Sequence, residues 1–292
     1  MINNKLLVYN MYIIDSYVDN SATGKIYDMH FIMLNKTCPL FDEIIFILTY
    51  NGNNNDQIVL NFKKKLIEEC SQCTKITFIF EKNNANYREG IIYKKYIIDK
   101  LNEYDGLTMF GHSKGVTNSN NINYLDNTLL WIYSLYYLNT TWNLEVFNKL
   151  DDNPNCKYIT YGGLYFKDRR HNIKYNWFYS GSFYWLNTKK LLKYITDNNI
   201  DYSSYLSEIN EHGLMRCAEL FPGNIIPEEY AAFHFDEHFN KQYNHFLNYG
   251  NEISYRYIDM MLKRFLRGYE YDELISNFNE VKSIIMNRFK QT

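Results

Sequence analysis

Several absences narrow the interpretation of this sequence. None of its 292 positions begins a run of about 18 apolar residues, so no helical segment is expected to cross a bilayer. Neither sign of charge dominates: 31 Lys and Arg face 33 Asp and Glu, for a formal net charge of -2. A strongly basic nucleic-acid binder is thereby excluded. Five cysteines (Cys38, Cys70, Cys73, Cys156 and Cys217) are odd in number and scattered, which argues against a disulfide framework and for a reducing compartment. Cys70 and Cys73 form a lone C-x-x-C at the end of an expected helix. No partner for them is identifiable in the sequence, so they are expected to be ordinary thiols rather than a zinc or redox site. Repeats of 20–50 residues are missing. The opening stretch MINNKLLVYNMYIIDSYVDN is interrupted by Asn10 and Asp15 and is followed by no small-residue cleavage site, so no signal peptide is expected.

What is present is a core-forming composition, 46% hydrophobic and 18% aromatic, which excludes disorder as the main state. A chain this long buries roughly 75% of the surface its unfolded form exposes and needs no covalent staple. One large domain, or one domain with an appendage, is expected. Asn, Ile, Lys and Tyr are in excess, with 38 Asn. That bias reads as the imprint of an AT-rich genome, such as that of a low-GC bacterium or a large DNA virus.

The first 115 residues alternate strand-like and helix-like segments. Strands are expected at Lys5–Tyr12, Glu43–Thr49, Lys75–Phe80 and Gly106–Phe110. Helices are expected at Thr23–Leu34, Asp56–Cys70 and Arg88–Asn102, the second with Ile58, Val59, Phe62, Leu66 and Ile67 on its apolar face. Such alternation predicts an α/β fold with a mostly parallel, Rossmann-type sheet and right-handed crossovers. Ligands of these sheets sit at the carboxyl ends of the strands. Here those ends (Tyr9–Tyr12, Thr49–Asn55, Glu81–Asn86 and His112–Gly115) are polar and Asn-rich, as a sugar or nucleotide site would be. Beyond them, one long aromatic helix is expected over Asp126–Leu150, a strand over Lys157–Tyr161, helices at Lys189–Thr196 and within Tyr205–Phe221, and an amphipathic helical tail from about Tyr249. Met260, Met261, Leu262 and Phe265 in that tail are expected in the core.

Two motifs compete for the end of the fourth strand. Gly111-His112-Ser113-Lys114-Gly115 fits the G-x-S-x-G pattern of a hydrolase nucleophile elbow, with Ser113 as nucleophile. The segment that follows, VTNSNNINYLDN, is poor in helix formers, whereas an elbow needs an immediate helix. Acid and His partners would have to come from pairs such as Asp168 with His171 or Asp236 with His238. The second motif emerges from the segment YDGLTMFGHSKGVTN. It resembles the "YDyilfiHtKG" signature of a GT-A-like glycosyltransferase family found in bacteria and giant viruses, in which H-[ST]-K-G replaces the Asp-x-Asp of other such enzymes. This chain has no Asp-x-Asp. Trp177–Trp185, WFYSGSFYW, is similar to the family's "hysGnfWWa" element, with Phe178 in place of a more usual His and Tyr184 in place of Trp. Tyr161-Gly162-Gly163 matches its short intervening strand, and RCAELFPG (216–223) resembles its "yaE.wiG" element. The resemblance covers roughly residues 5–235, with the four elements in the family's order.

The resemblance implies a GT-A-like domain over residues 1–248, with 249–292 as a helical extension packed on it. It implies transfer of a sugar from a nucleotide-diphosphate donor, a UDP-sugar by default, to a glycan or glycoprotein acceptor, as in polysaccharide biosynthesis. Charge builds on the departing diphosphate, and Lys114 is the candidate to meet it. Glu219 is the candidate general base for the acceptor hydroxyl in an inverting transfer; the alternative for Glu219 is a surface pair with Arg216. Gly115, Ser113, Ser180 and Gly181 are candidates for close approach to the donor. Trp177, Tyr179, Tyr184 and Trp185 are candidates for stacking on sugar rings. Tyr9 and Asn10 are candidates for a nucleobase, and Asn86 and Arg88 for a phosphate near a helix start. His112 is a candidate for the diphosphate or, with His234 and His238, for Mn2+ or Mg2+, although Mg2+ prefers oxygen ligands and the missing Asp-x-Asp leaves metal dependence open. A cytoplasmic location follows, with attachment at a membrane surface or packaging in a virion as variants. Serine hydrolysis and a catalytically inactive sugar-binding protein of the same fold are the alternatives.

Overall fold

The structure is a computed structural model that describes residues 4–14, 21–52, 56–83, 92–113, 116, 125–141, 143–153, 155–167, 174–175, 177–202, 217–233 and 258–288. In chain order its elements are β1 (Lys5–Tyr12), α1 (Ala22–Thr37), β2 (Glu43–Tyr50), α2 (Gln57–Glu69), β3 (Ile76–Lys82) and a π-helical turn, α3 (Lys94–Ile98). Then come β4 (Leu107–His112), α4 (Leu125–Thr140), α5 (Asn143–Leu150), β5 (Thr160–Gly162), β6 (Tyr165–Lys167), β7 (Trp177–Tyr179) and β8 (Tyr184–Asn187). The chain ends with α6 (Thr188–Asp197), α7 (Cys217–Ile225), β9 (Ala231–Phe233), α8 (Ile258–Phe265) and α9 (Gly268–Arg288).

The fold is α/β. A seven-stranded sheet runs in the order β3-β2-β1-β4-β8-β5-β9, and a separate two-stranded ribbon pairs β6 with β7. β1, β2, β3 and β4 are parallel, and only β8 runs against its neighbours β4 and β5. The first two crossovers step outward over one face. The third returns through α3 on the other face and lands β4 on the far side of β1. Strand order therefore reverses between β1 and β4, where an open α/β sheet has its crevice.

Both faces of the sheet are covered, so its strands are near-continuous apolar runs. One face packs residues of α1, α2, α4, α8 and α9 against Leu7, Tyr9, Met11, Leu107 and Met109. The opposite face packs α3, α6 and α7 against Leu6, Val8, Ile47 and Phe110. α4 is buried at every position except Asp126 and Asn127, as suits a helix that is apolar all round. Side chains cap two helices: Ser21 Oγ accepts from Gly24 N at 3.1 Å, and Asn187 Oδ1 accepts from Lys190 N at 2.9 Å. In the C-terminal helices Leu262, Leu274, Phe278, Val281 and Ile285 join the core, and Lys282 Nζ reaches Asp126 at 2.6 Å.

The structure adjusts several expectations. The long helix over Asp126–Leu150 is two helices, α4 and α5. The fourth strand extends to His112, whereas the strand expected from Lys157 begins only at Thr160. Ile67 is 45% exposed, while Val59, Phe62 and Leu66 of the same helix are buried. Met260 is 44% exposed rather than in the core, because α8 turns Ile258 and Leu262 inward instead.

Candidate functional site

Strand alternation decides which residues reach the crevice. Successive side chains of a strand point to opposite faces. Val8 and Phe110 lie in the core beneath the α3 face. Two residues further along each strand, Asn10 and His112 follow on that face at the carboxyl ends, and they are direct register partners in the β1–β4 pair. Ile47 of β2 is on the same side, and so is Thr49, whose hydroxyl donates to Asn10 Oδ1 at 2.5 Å. That bond fixes the amide and leaves its NH2 as the donor end.

The fourth wall comes from β8. Tyr184 pairs with Phe110 in antiparallel register, so the preceding turn, Ser180–Ser182, is delivered to the same carboxyl edge. Continuing that register sets Ser182 beside His112. Gly181 holds φ 77°, and a Cβ there would lie 2.8 Å from Leu135 Cδ1, so no other residue fits comfortably. Ser182 itself has φ 54°, a left-handed conformation uncommon outside glycine. Its side chain is 4% exposed, and its Oγ has no hydrogen-bond partner among the described residues.

These residues line a narrow cleft of about 30 Å³, with Asn10, His112 and Ser182 above an apolar floor that includes Val8, Ile47, Tyr93 and Phe110. The described lining contains no Lys, Arg, Asp or Glu. At the base, the Tyr93 and Tyr184 hydroxyls hydrogen-bond to each other. Nearby, Glu81 at the end of β3 accepts from Lys95 and Tyr96 of α3. Burial pushes the Glu81 carboxyl up, but the two hydrogen bonds outweigh it and hold the group below its ordinary value.

Of the candidates from sequence, Asn10 and His112 line this cleft, and Ser180 and Gly181 stand in the turn that leads to Ser182. Tyr9 does not. It faces the opposite layer, is 0% exposed, and shares hydrogen bonds with His30 Nδ1 and the Tyr136 hydroxyl, both at 2.8 Å. A nucleobase cannot touch it. The aromatic residues of the WFYSGSFYW element are likewise core. Trp185 is 0% exposed, stacks on Phe41 at 5.4 Å and donates from its indole N–H to Asn139 O at 2.9 Å. Trp177 donates to Ile226 O at 2.9 Å, Tyr179 to Ala232 O at 2.7 Å, and Tyr184 is also 0% exposed. None of the four presents a face to a sugar. Gly162 earns its place through Tyr179, whose ring would lie 2.2 Å from a Cβ there.

Ser113 is 6% exposed, and its Oγ accepts from Tyr12 N at 2.8 Å. Ser182 and Asn199 are the only non-glycine residues with positive φ among those described, so Ser113 lacks the strained backbone of a nucleophile elbow. Lys114, Gly115, Asn86, Arg88, His234 and His238 lie outside the described residues, as do Asp168, His171, Asp236 and Arg216. Glu219 stands on α7, and its side chain is likewise outside the description. For Mn2+ or Mg2+ the described part of the cleft offers one imidazole, one amide, the Ser182 hydroxyl and the Tyr93 phenol but no carboxylate. That set does not fit a hard cation, and no group of three or more His, Cys, Asp or Glu among the described residues is arranged to hold a metal. No helix among the described residues is long and apolar enough to cross a membrane.

Sequence reasoning missed Ser182 and the role of Thr49. Thr49 was visible as the polar end of EIIFILT. Ser182 carried no signal beyond its place next to Gly181. Protein-family models and curated proteins give no match to this chain.

Proposed function

We propose that the protein is a nucleotide-sugar glycosyltransferase that uses the β1–β4 crevice to seat its donor. The observation that carries this assignment is the pairing of Asn10 with His112 at the reversal of strand order, with Ser182 closing the cleft. Uncharged polar groups above an apolar floor suit the nucleoside part of a nucleotide sugar, UDP-linked by default. The ordered H-S-K-G, YGG, SGS and AEL elements support the same function by their resemblance to the GT-A-like family. In this scheme Lys114, two residues beyond His112, meets the charge that develops on the departing diphosphate. Glu219 takes the proton of a glycan or glycoprotein hydroxyl, which gives inversion at the anomeric carbon. No step is assigned to a metal.

Incubation with radiolabelled nucleotide sugars tests this function. Lys114→Ala and Glu219→Gln are expected to abolish transfer, whereas Ser113→Ala retains much of it. Labelling of Ser113 by a fluorophosphonate, with loss of activity, would establish a serine hydrolase instead.

A further inference from the structure

β3 ends the sheet: among the described residues it has β2 on one side and no strand on the other. Its register fixes which backbone groups are left over. Ile44 N–H donates to Lys75 O at 2.9 Å and Asn83 N–H to Tyr50 O at 2.7 Å, so the odd-numbered residues from Lys75 to Asn83 turn their N–H and C=O toward β2. The even-numbered Ile76, Phe78 and Phe80 turn theirs to the open edge. The strand carries no proline, its charges stand only at its two ends, and Ile76, Phe78, Ile79 and Phe80 are each no more than half-buried. A long apolar edge of this kind is a template for another strand. The helix above it is equally unfinished. On α2, Lys65 reaches one way, to Asp28 of α1 at 2.7 Å. Lys63 reaches the other way, with Nζ 5.4 Å and 5.7 Å from the Phe78 and Phe80 ring centroids. Leu60 and Ile67 share that flank with Lys63, at i, i+3 and i+7 spacing, and they are 42% and 45% exposed.

We propose that this surface takes a second copy of the chain, paired antiparallel through β3 in a two-fold dimer whose sheet runs through both molecules. A two-fold axis perpendicular to the sheet keeps each face on its own side and makes the edge meet itself. With the axis at Phe78, that residue meets its own counterpart, and Ile76 meets Phe80 of the second copy. These hydrogen-bonded pairs draw only on the outward-turned residues. Between them Thr77 lies opposite Ile79, and at both ends Lys75 lies opposite Glu81 in a close, non-hydrogen-bonded pair. Within each copy Lys75 Nζ already bonds to Glu43 at 2.7 Å and Glu81 accepts from Lys95, so the four groups join in a line of alternating charge. Lys82 falls opposite Thr74, so no like charges meet. Moving the axis to Thr77 or Ile79 sets Glu81 opposite Cys73 or Thr77 and loses both ion pairs. Charge therefore selects one register. A helix riding over β2 and β3 stands two strand spacings from its counterpart, about 10 Å, which is helix-packing distance. The two α2 flanks thus close over the joined strands, and Leu60 and Ile67 leave water there.

The test is sedimentation equilibrium of the full-length protein from about 1 to about 100 µM, joined to hydrogen exchange of the 74–82 backbone, read by mass spectrometry at both ends of that range. The expected result is a dimer in which exchange over 76–80 slows as the dimer fills. Ile67→Lys places a charge on the exposed flank of α2, and Lys75→Glu sets like charges opposite each other at both ends of the pairing. Each is expected to weaken dimerisation roughly tenfold or more with far-ultraviolet circular dichroism unchanged. The exchange measurement on the unmutated protein decides the matter even where a variant folds poorly. A monomer throughout the range, an open series of larger species, a dimer whose 76–80 amides exchange as fast as the monomer's, or a dimer as strong in either variant would each overturn the proposal.

Discussion

Ser182 carries two unfavourable features at once: a left-handed backbone and a buried hydroxyl without a partner among the described residues. A non-glycine residue in that backbone conformation costs roughly 1–2 kcal/mol, and an unsatisfied buried hydroxyl about 1–3 kcal/mol. In the proposed function that hydroxyl is satisfied by the donor that enters the cleft. Ser182→Gly relieves both costs, so its Tm is expected to equal or exceed that of the unmutated protein by differential scanning calorimetry. A clear fall in Tm would show that the hydroxyl serves packing instead. Thr49→Val removes the hydroxyl that fixes the Asn10 amide. It is expected to leave folding intact and to weaken nucleotide binding severalfold, read by titration calorimetry. At this scale the sequence is half legible. Tyr9 and Asn10 are adjacent at the end of β1, and a period of two sends one into the core and the other into the cleft. Which is which depends on the faces the helices cover, and no single strand states that. The conformation of Ser182 is illegible, because serine carries no mark for positive φ.

Among the elements, β3 and α3 are joined by the Glu81 carboxylate. Its folded pKa lies below the ordinary 4.5, so the stability it contributes is complete above that value. That contribution is lost as pH falls through the lowered folded value. Glu81→Gln is therefore expected to flatten the loss of stability as pH falls below 4.5, measured by urea unfolding across the acid limb. An acid limb unchanged by the substitution would remove the pair from the account. Elements with one apolar face, such as α2 and the C-terminal helices, are legible in sequence because a stripe has a period. The α4–α5 break is not legible, since a helix buried all round shows no stripe whose phase could slip. The aromatic cluster of WFYSGSFYW misleads for a related reason. Alternation normally exposes one face, but in β8 the α3 layer and the helices of the opposite layer bury both, and in β7 Trp177 and Tyr179 share the one face that packs into the α3 layer. Trp185→Ala is accordingly expected to cost about 3–5 kcal/mol of stability.

For the whole molecule, two helical layers seal the sheet and leave a set of buried and half-buried polar groups at its carboxyl edge. Burial raises the phenols of Tyr9, Tyr136 and Tyr179 well above 10, with the Tyr136 hydrogen bond offsetting only part of the rise at Tyr9. A raised folded pKa supplies stability that is complete below the ordinary tyrosine value of 10 and is lost as pH climbs above it. These tyrosines are therefore expected to ionise together with unfolding, so that tyrosinate absorbance and far-ultraviolet circular dichroism change at the same pH. Full ionisation ahead of the circular dichroism change would contradict their burial. The alternation of the first 115 residues made the sheet and its crevice legible at this scale, but the antiparallel β8, which brings Ser182 to His112, has no signature in the sequence. The central claim is that this crevice seats a nucleotide, and calorimetric titration of uridine diphosphate into the unmutated and Ser182→Gly proteins tests it most directly. Binding to the unmutated protein, weakened roughly five- to tenfold in the variant by loss of one hydrogen bond, is the predicted result. No binding to the unmutated protein, or equal binding to both, would contradict it.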